Sequence, residues 1–152
     1  MLIPVWRLML GVWLASVLVV ISLPWSKFDA TPHWKNVQWV PFADFNFHPT
    51  VLVETALNLV AFIPVGYLTI RSLPESSQRP VLFALMLGAC SSVTIETYQF
   101  FCHDRVPSTT DILMNVAGTA LGVWLAFAID QVLAFWTIRI RRLSASDRIP
   151  SA

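Results

Sequence analysis

The chain has 152 residues, of which 56% are hydrophobic and only 12% are charged. Soluble domains average about 25% charged residues, so this composition excludes an ordinary soluble protein and indicates a membrane protein. The net charge is +1. That value excludes the broad basic field with which many proteins attract nucleic acid, and we expect no nucleic-acid partner.

Four apolar stretches follow one another along the chain, at residues 5–23, 50–70, 80–101 and 111–136. Each is close to the roughly 20 residues that a helix needs to cross a bilayer. The sequence therefore predicts an all-α membrane protein built as a bundle of four transmembrane helices. Pro80 falls in the first turn of the third helix, where proline is favoured. Pro64 is expected to kink the second helix or to free a backbone carbonyl within it.

The chain outside these helices divides into an aromatic loop and a basic tail. Aromatic rings favour the membrane–water interface, so the loop between the first two helices is expected to lie along the outer surface. Its aromatic residues are Trp25, Phe28, Trp34, Trp39, Phe42, Phe45 and Phe47. We expect residues 1–136 to form one four-helix membrane domain, and residues 137–152 to form a short, basic, disordered cytoplasmic tail.

The distribution of basic residues predicts the orientation, because Lys and Arg are enriched in cytoplasmic loops. With both termini inside, seven basic residues lie inside and three outside. The inner set is Arg7, Arg71, Arg79, Arg139, Arg141, Arg142 and Arg148, and the outer set is Lys27, Lys35 and Arg105. We therefore expect a multi-pass protein of the cell membrane, in contact with lipid, with both termini in the cytoplasm.

Polar side chains recur at helical spacing on three of the predicted helices, and residues three or four apart share a helix face. The stripes are Glu54 and Asn58, then Gly88, Ser92, Glu96 and Gln99, then Asp111, Asn115, Gly118 and Gly122. The helix directions place the acids and amides in the outer halves of the helices, with Arg105 in the loop above. His103 extends the stripe of Gly88, Ser92, Glu96 and Gln99 if the third helix continues that far.

These stripes have structural explanations beside the functional one. Candidates for capping the fourth helix are Ser108, Thr109 and Thr110. Asn58 and Asn115 are suited to hydrogen bonds between helices, and the spacing of Gly118 and Gly122 allows close helix packing. Glu96 fits a structural role least well. A carboxylate about 8 Å below the helix end is costly unless it is paired, protonated or hydrated.

Histidines accompany the acids, since His33, His48 and His103 all fall on the predicted outer side. No tight ligand spacing of the HExxH kind supports a metal site. The sequence therefore predicts no metal and no other cofactor.

Taken together, the motifs resemble those of the VanZ-like family of small bacterial membrane proteins. Residues 37–45, VQWVPFADF, are similar to the family's N-L-I-P-F segment, and residues 58–68, NLVAFIPVGYL, look like its N-x-x-x-F-x-P-x-G helix. That helix motif covers Asn58, Phe62, Pro64 and Gly66, and the family's Glu-x-x-Gln falls at Glu96 and Gln99. Arg105, Asp111, Asn115, Gly118 and Gly122 then follow in the family's order and spacing.

The resemblance implies a role in the bacterial cell envelope, at the inner membrane. The family is named after an accessory factor in antibiotic resistance, specifically to teicoplanin, but membership does not by itself imply resistance. The family often has a further Asp three residues after the Arg, where this chain has Ser108. A charged site would be weaker for that reason.

We expect one outer-leaflet binding site and one helix-packing set. The binding residues are Glu96, Gln99, Arg105, Asp111, Asn115, Asn58 and Glu54, and the packing residues are Gly118, Gly122, Pro64 and Gly66.

Three functions remain open for this site. The favoured one is binding or shielding of a lipid-linked envelope precursor or a lipoglycopeptide. The second is an enzyme acting on a lipid-linked phosphate or sugar, with Glu96 as catalytic acid/base and Arg105 with Gln99 holding the substrate. Enzymes of that kind usually gather several basic side chains, whereas the family pattern fixes only Arg105, so an enzyme is less favoured. The third is a structural partner of an envelope biosynthesis machine.

Overall fold

A computed structural model describes residues 5–22, 28–29, 31–43, 49–103 and 105–146. Within these ranges the chain forms four long helices and no extended strand: α1 Val5–Ser22, α2 Pro49–Ser72, α3 Pro80–Gln99 and α4 Thr109–Ser146. Helices α2, α3 and α4 are long and apolar enough to cross a bilayer, and α1 is a shorter apolar helix. The predicted all-α membrane bundle is confirmed.

The ends of α3 and α4 differ from the sequence expectation. After Gln99 the chain tightens into three-residue turns, with Phe101 N donating to Tyr98 O and Cys102 N donating to Gln99 O. The polar stripe of α3 therefore does not extend to His103 as expected. Helix α4 continues past Trp136, because no Gly or Pro interrupts residues 137–146. The expected disorder was wrong for those residues, and residues 147–152 lie outside the described chain.

Glycines line the contact between α2 and α4. At each of three glycines, even a methyl side chain would overlap a backbone carbonyl of the facing helix. The pairs are Gly118 with Leu59, Gly122 with Ile63, and Gly66 with Thr119. The two backbones are therefore in direct contact, which is the small-residue mode of helix packing in membranes.

Pro64 lies inside α2, which continues through it. Proline lacks an N–H, and its ring crowds the preceding helical turn, so backbone hydrogen bonding is weakened there. In that turn the carbonyl of Ala61 accepts a hydrogen bond from Nε1 of Trp13 in α1, at 2.9 Å. This bond ties α1 to α2 next to the proline.

The end of the bundle that carries the α2–α3 connection is closed by charged side chains. Arg71 of α2 donates to Asp130 of α4 at 2.7 Å and to the carbonyl of Ala126 at 2.9 Å. Arg7 of α1 donates to the carbonyl of Ser72 at 3.1 Å. Asp130 is thus paired with Arg71, and its position is explained by architecture.

The opposite end is covered by two loops that we call the loop face, residues 28–43 and 100–108 where described. The loops pair through their backbones: Gln38 N donates to Pro107 O at 2.9 Å, and Thr109 N donates to Gln38 O at 3.1 Å. Trp34 and Trp39 remain more than 60% exposed. Of the other aromatic residues in this loop, Trp25, Phe45 and Phe47 lie outside the described residues.

Candidate functional site

Glu96 lies in the last turn of α3, in contact with the loop face, and is only 7% exposed. Its Oε2 accepts a hydrogen bond from the backbone N–H of Ser108, at 2.8 Å. Ser108 precedes α4, and its hydroxyl accepts a hydrogen bond from Thr110 N at 3.1 Å. Ser108 is therefore the capping residue among the three candidates. The carboxylate of Glu96 lies at the amino end of α4, where unpaired N–H groups favour negative charge.

The remaining ionisable residues of the predicted site surround Asp111, in the first turn of α4. Asn58 of α2 is a hydrogen-bond partner of Asp111, and Glu54 and Arg105 are its charged neighbours. Asp111 and Arg105 are also charged neighbours of Glu96. The structure thus brings five of the seven predicted binding residues into one connected group.

The other two predicted binding residues, Gln99 and Asn115, are buried. Asn115 is 1% exposed, and its Nδ2 donates to Oγ of Ser92 in α3 at 2.8 Å. Its Oδ1 is buried and has no hydrogen-bond partner among the described residues. Neither Gln99 nor Asn115 lines the three main cavities at the loop face. In this arrangement Asn115 connects α3 to α4.

Three main cavities open at the loop face within the described chain, and two of them are lined by predicted site residues. The third, of about 410 Å³, lies among residues 35–43 and Val106. The apolar cavity has a volume of about 350 Å³, and Glu96 is the one ionisable residue among its described lining residues. Its apolar lining includes Trp34, Trp39, Val93, Phe100, Phe101 and Ile112. The polar cavity has a volume of about 230 Å³, and its polar lining consists of Gln38, Glu54, Thr55, Ser108, Thr110 and Asp111.

The two cavities are neighbours. Glu96 lines the apolar cavity and Ser108 lines the polar one, and these two residues are hydrogen-bonded to each other. Residues 106–109 alternate between the two linings and form the wall between them: Pro107 and Thr109 line the apolar cavity, and Val106 and Ser108 line the polar one. A molecule with an apolar part and a polar part would therefore find both environments side by side.

Sequence reasoning missed several residues of this site. Gln38 and Trp34 come from the aromatic loop, which has no helical periodicity that would place it over α3 and α4. The aromatic composition of the loop was the available signal, but it indicated only an interfacial position. His103, expected on the α3 stripe, instead contacts Asp29 and lies beside His33.

Comparison with models of protein families identifies the chain. The model described as VanZ/LLP1 matches residues 6–132. The chain belongs to the VanZ/LLP1 family. The match runs from α1 into α4 and includes both loops of the loop face, so the resemblance inferred from the motifs is confirmed. Comparisons with curated proteins and with solved structures found no match.

Family membership and the apolar helices together make this a VanZ-like membrane protein. The motif resemblance places Ser108 of this VanZ/LLP1 chain at a position where many family members are expected to have Asp. Ser108 N donates to Oε2 of Glu96, and the hydroxyl oxygen of Ser108 accepts a hydrogen bond from Thr110 N. The position therefore closes the start of α4 without adding a further negative charge beside Glu96 and Asp111.

Proposed function

We propose that this VanZ/LLP1 protein binds an amphiphilic component of the bacterial envelope at its loop face, on the outer side of the cell membrane. The ligand class is a lipid-linked envelope precursor or a lipoglycopeptide. Its apolar chain would occupy the apolar cavity, and its head group would lie at the polar cavity. The observation that carries this proposal is the shared wall of residues 106–109 between the two cavities.

The apolar cavity suits a hydrocarbon chain in size and lining. A volume of about 350 Å³ lies at the lower end of the range for small-molecule sites, roughly 300–1,000 Å³. The rings of Trp34 and Phe100 pack edge to face, with centroids 4.6 Å apart, and give the cavity an aromatic wall. Val93 of α3 lines the cavity and is 49% exposed on the side of the helix. A chain could therefore enter laterally from the bilayer.

The polar cavity suits a head group rich in hydrogen-bond donors. Glu54 and Asp111 contribute carboxylates, which accept hydrogen bonds when ionised. Gln38, Ser108 and Thr110 add amide and hydroxyl groups, and Arg105 is the charged neighbour of Asp111. Hydroxyl, amide and ammonium groups of sugars and peptides match this set better than a bare phosphate does, because the carboxylates outnumber the cation.

The position of Glu96 supports binding more than catalysis. A general acid or base must exchange its proton with a substrate within hydrogen-bonding distance. Oε2 of Glu96 is already engaged by Ser108 N, in a contact that holds the start of α4. Glu96 therefore positions the start of α4, and it also contributes the one ionisable side chain among the described residues that line the apolar cavity.

Photo-crosslinking tests the proposal. The purified protein in detergent would be irradiated with two probes, a polyprenyl-linked sugar–peptide and a teicoplanin-type lipoglycopeptide, each carrying a diazirine on its apolar chain. The proposal expects at least one probe to label peptides containing residues 93–101 and 107–112. Labelling spread evenly over the lipid-exposed side chains of α1, such as Leu8 and Val12, would contradict it.

A further inference from the structure

Asp29, His33 and His103 converge at one edge of the loop face. One potential ligand atom from each residue lies within 4.8 Å of the others. Nε2 of His33 is 3.4 Å from Oδ1 of Asp29, and Nε2 of His103 contacts Oδ2 of the same carboxylate. The two imidazole rings are tilted, with centroids 4.7 Å apart. Two imidazole nitrogens and one carboxylate thus face a common point.

The backbone holds these three residues in place. Asp29 N donates to Phe101 O at 3.2 Å, and His33 N donates to Phe100 O at 3.1 Å. A β-bridge between Phe28 and Cys102 adds a third connection between the two segments. The segment carrying Asp29 and His33 is therefore fixed against the turn that carries His103.

One nitrogen of this cluster lacks a hydrogen-bond partner among the described residues. Nε2 of His33 is shielded from solvent and makes no hydrogen bond among the described residues, although it is directed toward Asp29. A buried polar atom without a partner is costly, and native structures usually supply one in the form of protein, water or an ion. Thr31 N donates to Asp29 Oδ1 at 2.8 Å.

We propose that Asp29, His33 and His103 bind one divalent transition-metal ion, with Zn²⁺ as the best match. Imidazole with carboxylate is a donor set that Zn²⁺ accepts, at bond lengths of about 2.0–2.2 Å, whereas Ca²⁺ and Mg²⁺ select oxygen ligands. Closing the ligand atoms around an ion requires a small movement. The side chain of His103, which is 63% exposed, has the freedom to make it.

A three-residue ligand set leaves at least one coordination position open, as in zinc sites that keep a water or substrate ligand. This proposal departs from the expectation of no metal. That expectation depended on spacing along the chain, and the ligands here come from two loops that are distant in sequence. The metal site does not depend on the proposed function, because none of its three ligands lines the apolar or the polar cavity. Only residues next to the ligands line the apolar cavity: Trp34, which follows His33, and Phe100 and Phe101, whose carbonyls accept from the ligand segment.

The full-length protein would be purified in detergent, stripped of metal with EDTA and titrated with Zn²⁺. Isothermal titration calorimetry measures the binding. One ion should bind per chain. Substituting residues that only hydrogen-bond to metal ligands already weakens metal affinity by about 10–100-fold. Substituting a ligand itself should do at least as much, so His103→Ala and Asp29→Asn should each weaken Zn²⁺ affinity at least about tenfold. Glu75→Gln at the opposite end of the bundle, an exposed acid-to-amide change, is the matched control and should bind like the parent.

Co²⁺ gives an independent readout. Its visible absorption spectrum should show intense bands of four- or five-coordinate cobalt with nitrogen ligands in the parent protein, and these bands should disappear in His103→Ala. Thermal melting without metal checks folding, and the exposed His103 is replaceable without loss of the fold. Failure of the parent to bind micromolar Zn²⁺, or equal affinity in the parent and His103→Ala, would overturn the proposal.

Discussion

The carboxylate of Glu96 and the backbone N–H of Ser108 are 2.8 Å apart, and this one bond joins the last turn of α3 to the start of α4. Both residues are almost completely buried. The bond also marks the boundary between the two cavities, since Glu96 lines one and Ser108 the other. Glu96, the acid whose sequence position fits a structural role least well, therefore has a structural partner in Ser108 and also lines the apolar cavity.

Replacement of Glu96 should separate its two roles. Glu96→Gln retains an oxygen that can accept from Ser108 N, so the folded protein should accumulate normally. Glu96→Ala leaves that buried N–H without a partner, which costs about 1–3 kcal/mol. Thermal melting in detergent should show a lower midpoint for the alanine variant only. Equal destabilisation by both changes would show that the charge itself, and not the hydrogen bond, holds α4.

The contact between α2 and α4 should not tolerate a side chain at Gly118. Gly118→Ala would place a methyl group against the carbonyl of Leu59, and overpacking of this kind costs about 1–3 kcal/mol. We expect less folded protein in the membrane and a lower melting midpoint.

Gly11 in α1 is the matched control for this test, because a Cβ built there meets no atom within 4 Å. Gly11→Ala should leave the midpoint unchanged or raise it. If Gly118→Ala melted at the same temperature as Gly11→Ala, the close approach of the two helices would be refuted.

The hydrogen bond between Asn115 and Ser92 should couple α3 to α4. Hydrogen bonds between membrane helices average about 0.6 kcal/mol and reach about 1.7 kcal/mol in double-mutant cycles. A cycle of Ser92→Ala and Asn115→Ala, measured by unfolding in denaturing detergent, should give a coupling free energy in that range. Asn115→Ala combined with the distant Thr137→Ala should be additive. Additivity in the first cycle would exclude an interhelical role for Asn115.

The orientation can be tested by cysteine accessibility in intact cells, on a background in which the exposed Cys90 is replaced by Ser. Lys35→Cys on the loop face should react with a membrane-impermeant maleimide. Ser76→Cys in the α2–α3 connection should react only after the cells are permeabilised. Both positions are exposed in the structure. The reverse pattern would place the loop face in the cytoplasm and remove the basis for an outer-leaflet site.

The features that the sequence predicted well depend on local regularity. Hydropathy was sufficient for the four helices, and the spacing of Gly118 and Gly122 pointed to the face that meets α2. Helical spacing also placed Glu96 and Asp111 at a common level. Each of these inferences needs only the pitch of one helix and its direction across the bilayer.

What the sequence could not give depends on contacts between distant loops. The end of α3 at Gln99 moved His103 away from the predicted stripe and toward Asp29. The pairing of Gln38 with Pro107 and Thr109 brought the aromatic loop over α3 and created the apolar cavity. No periodic pattern encodes such irregular backbone pairing, so neither the cavity nor the Asp–His–His cluster was predictable.

The most direct test of amphiphile binding compares two substitutions on α3. Thr97 lines the apolar cavity and Thr94 does not. Both are exposed threonines whose hydroxyls donate to a carbonyl four residues earlier in the same helix. The measurement is the dissociation constant of the crosslinking probe for Thr97→Trp and Thr94→Trp in detergent. We predict that Thr97→Trp, which fills the cavity, weakens binding at least about tenfold, or 1.4 kcal/mol, whereas Thr94→Trp binds like the parent. Equal affinity for the two variants would contradict binding in the apolar cavity.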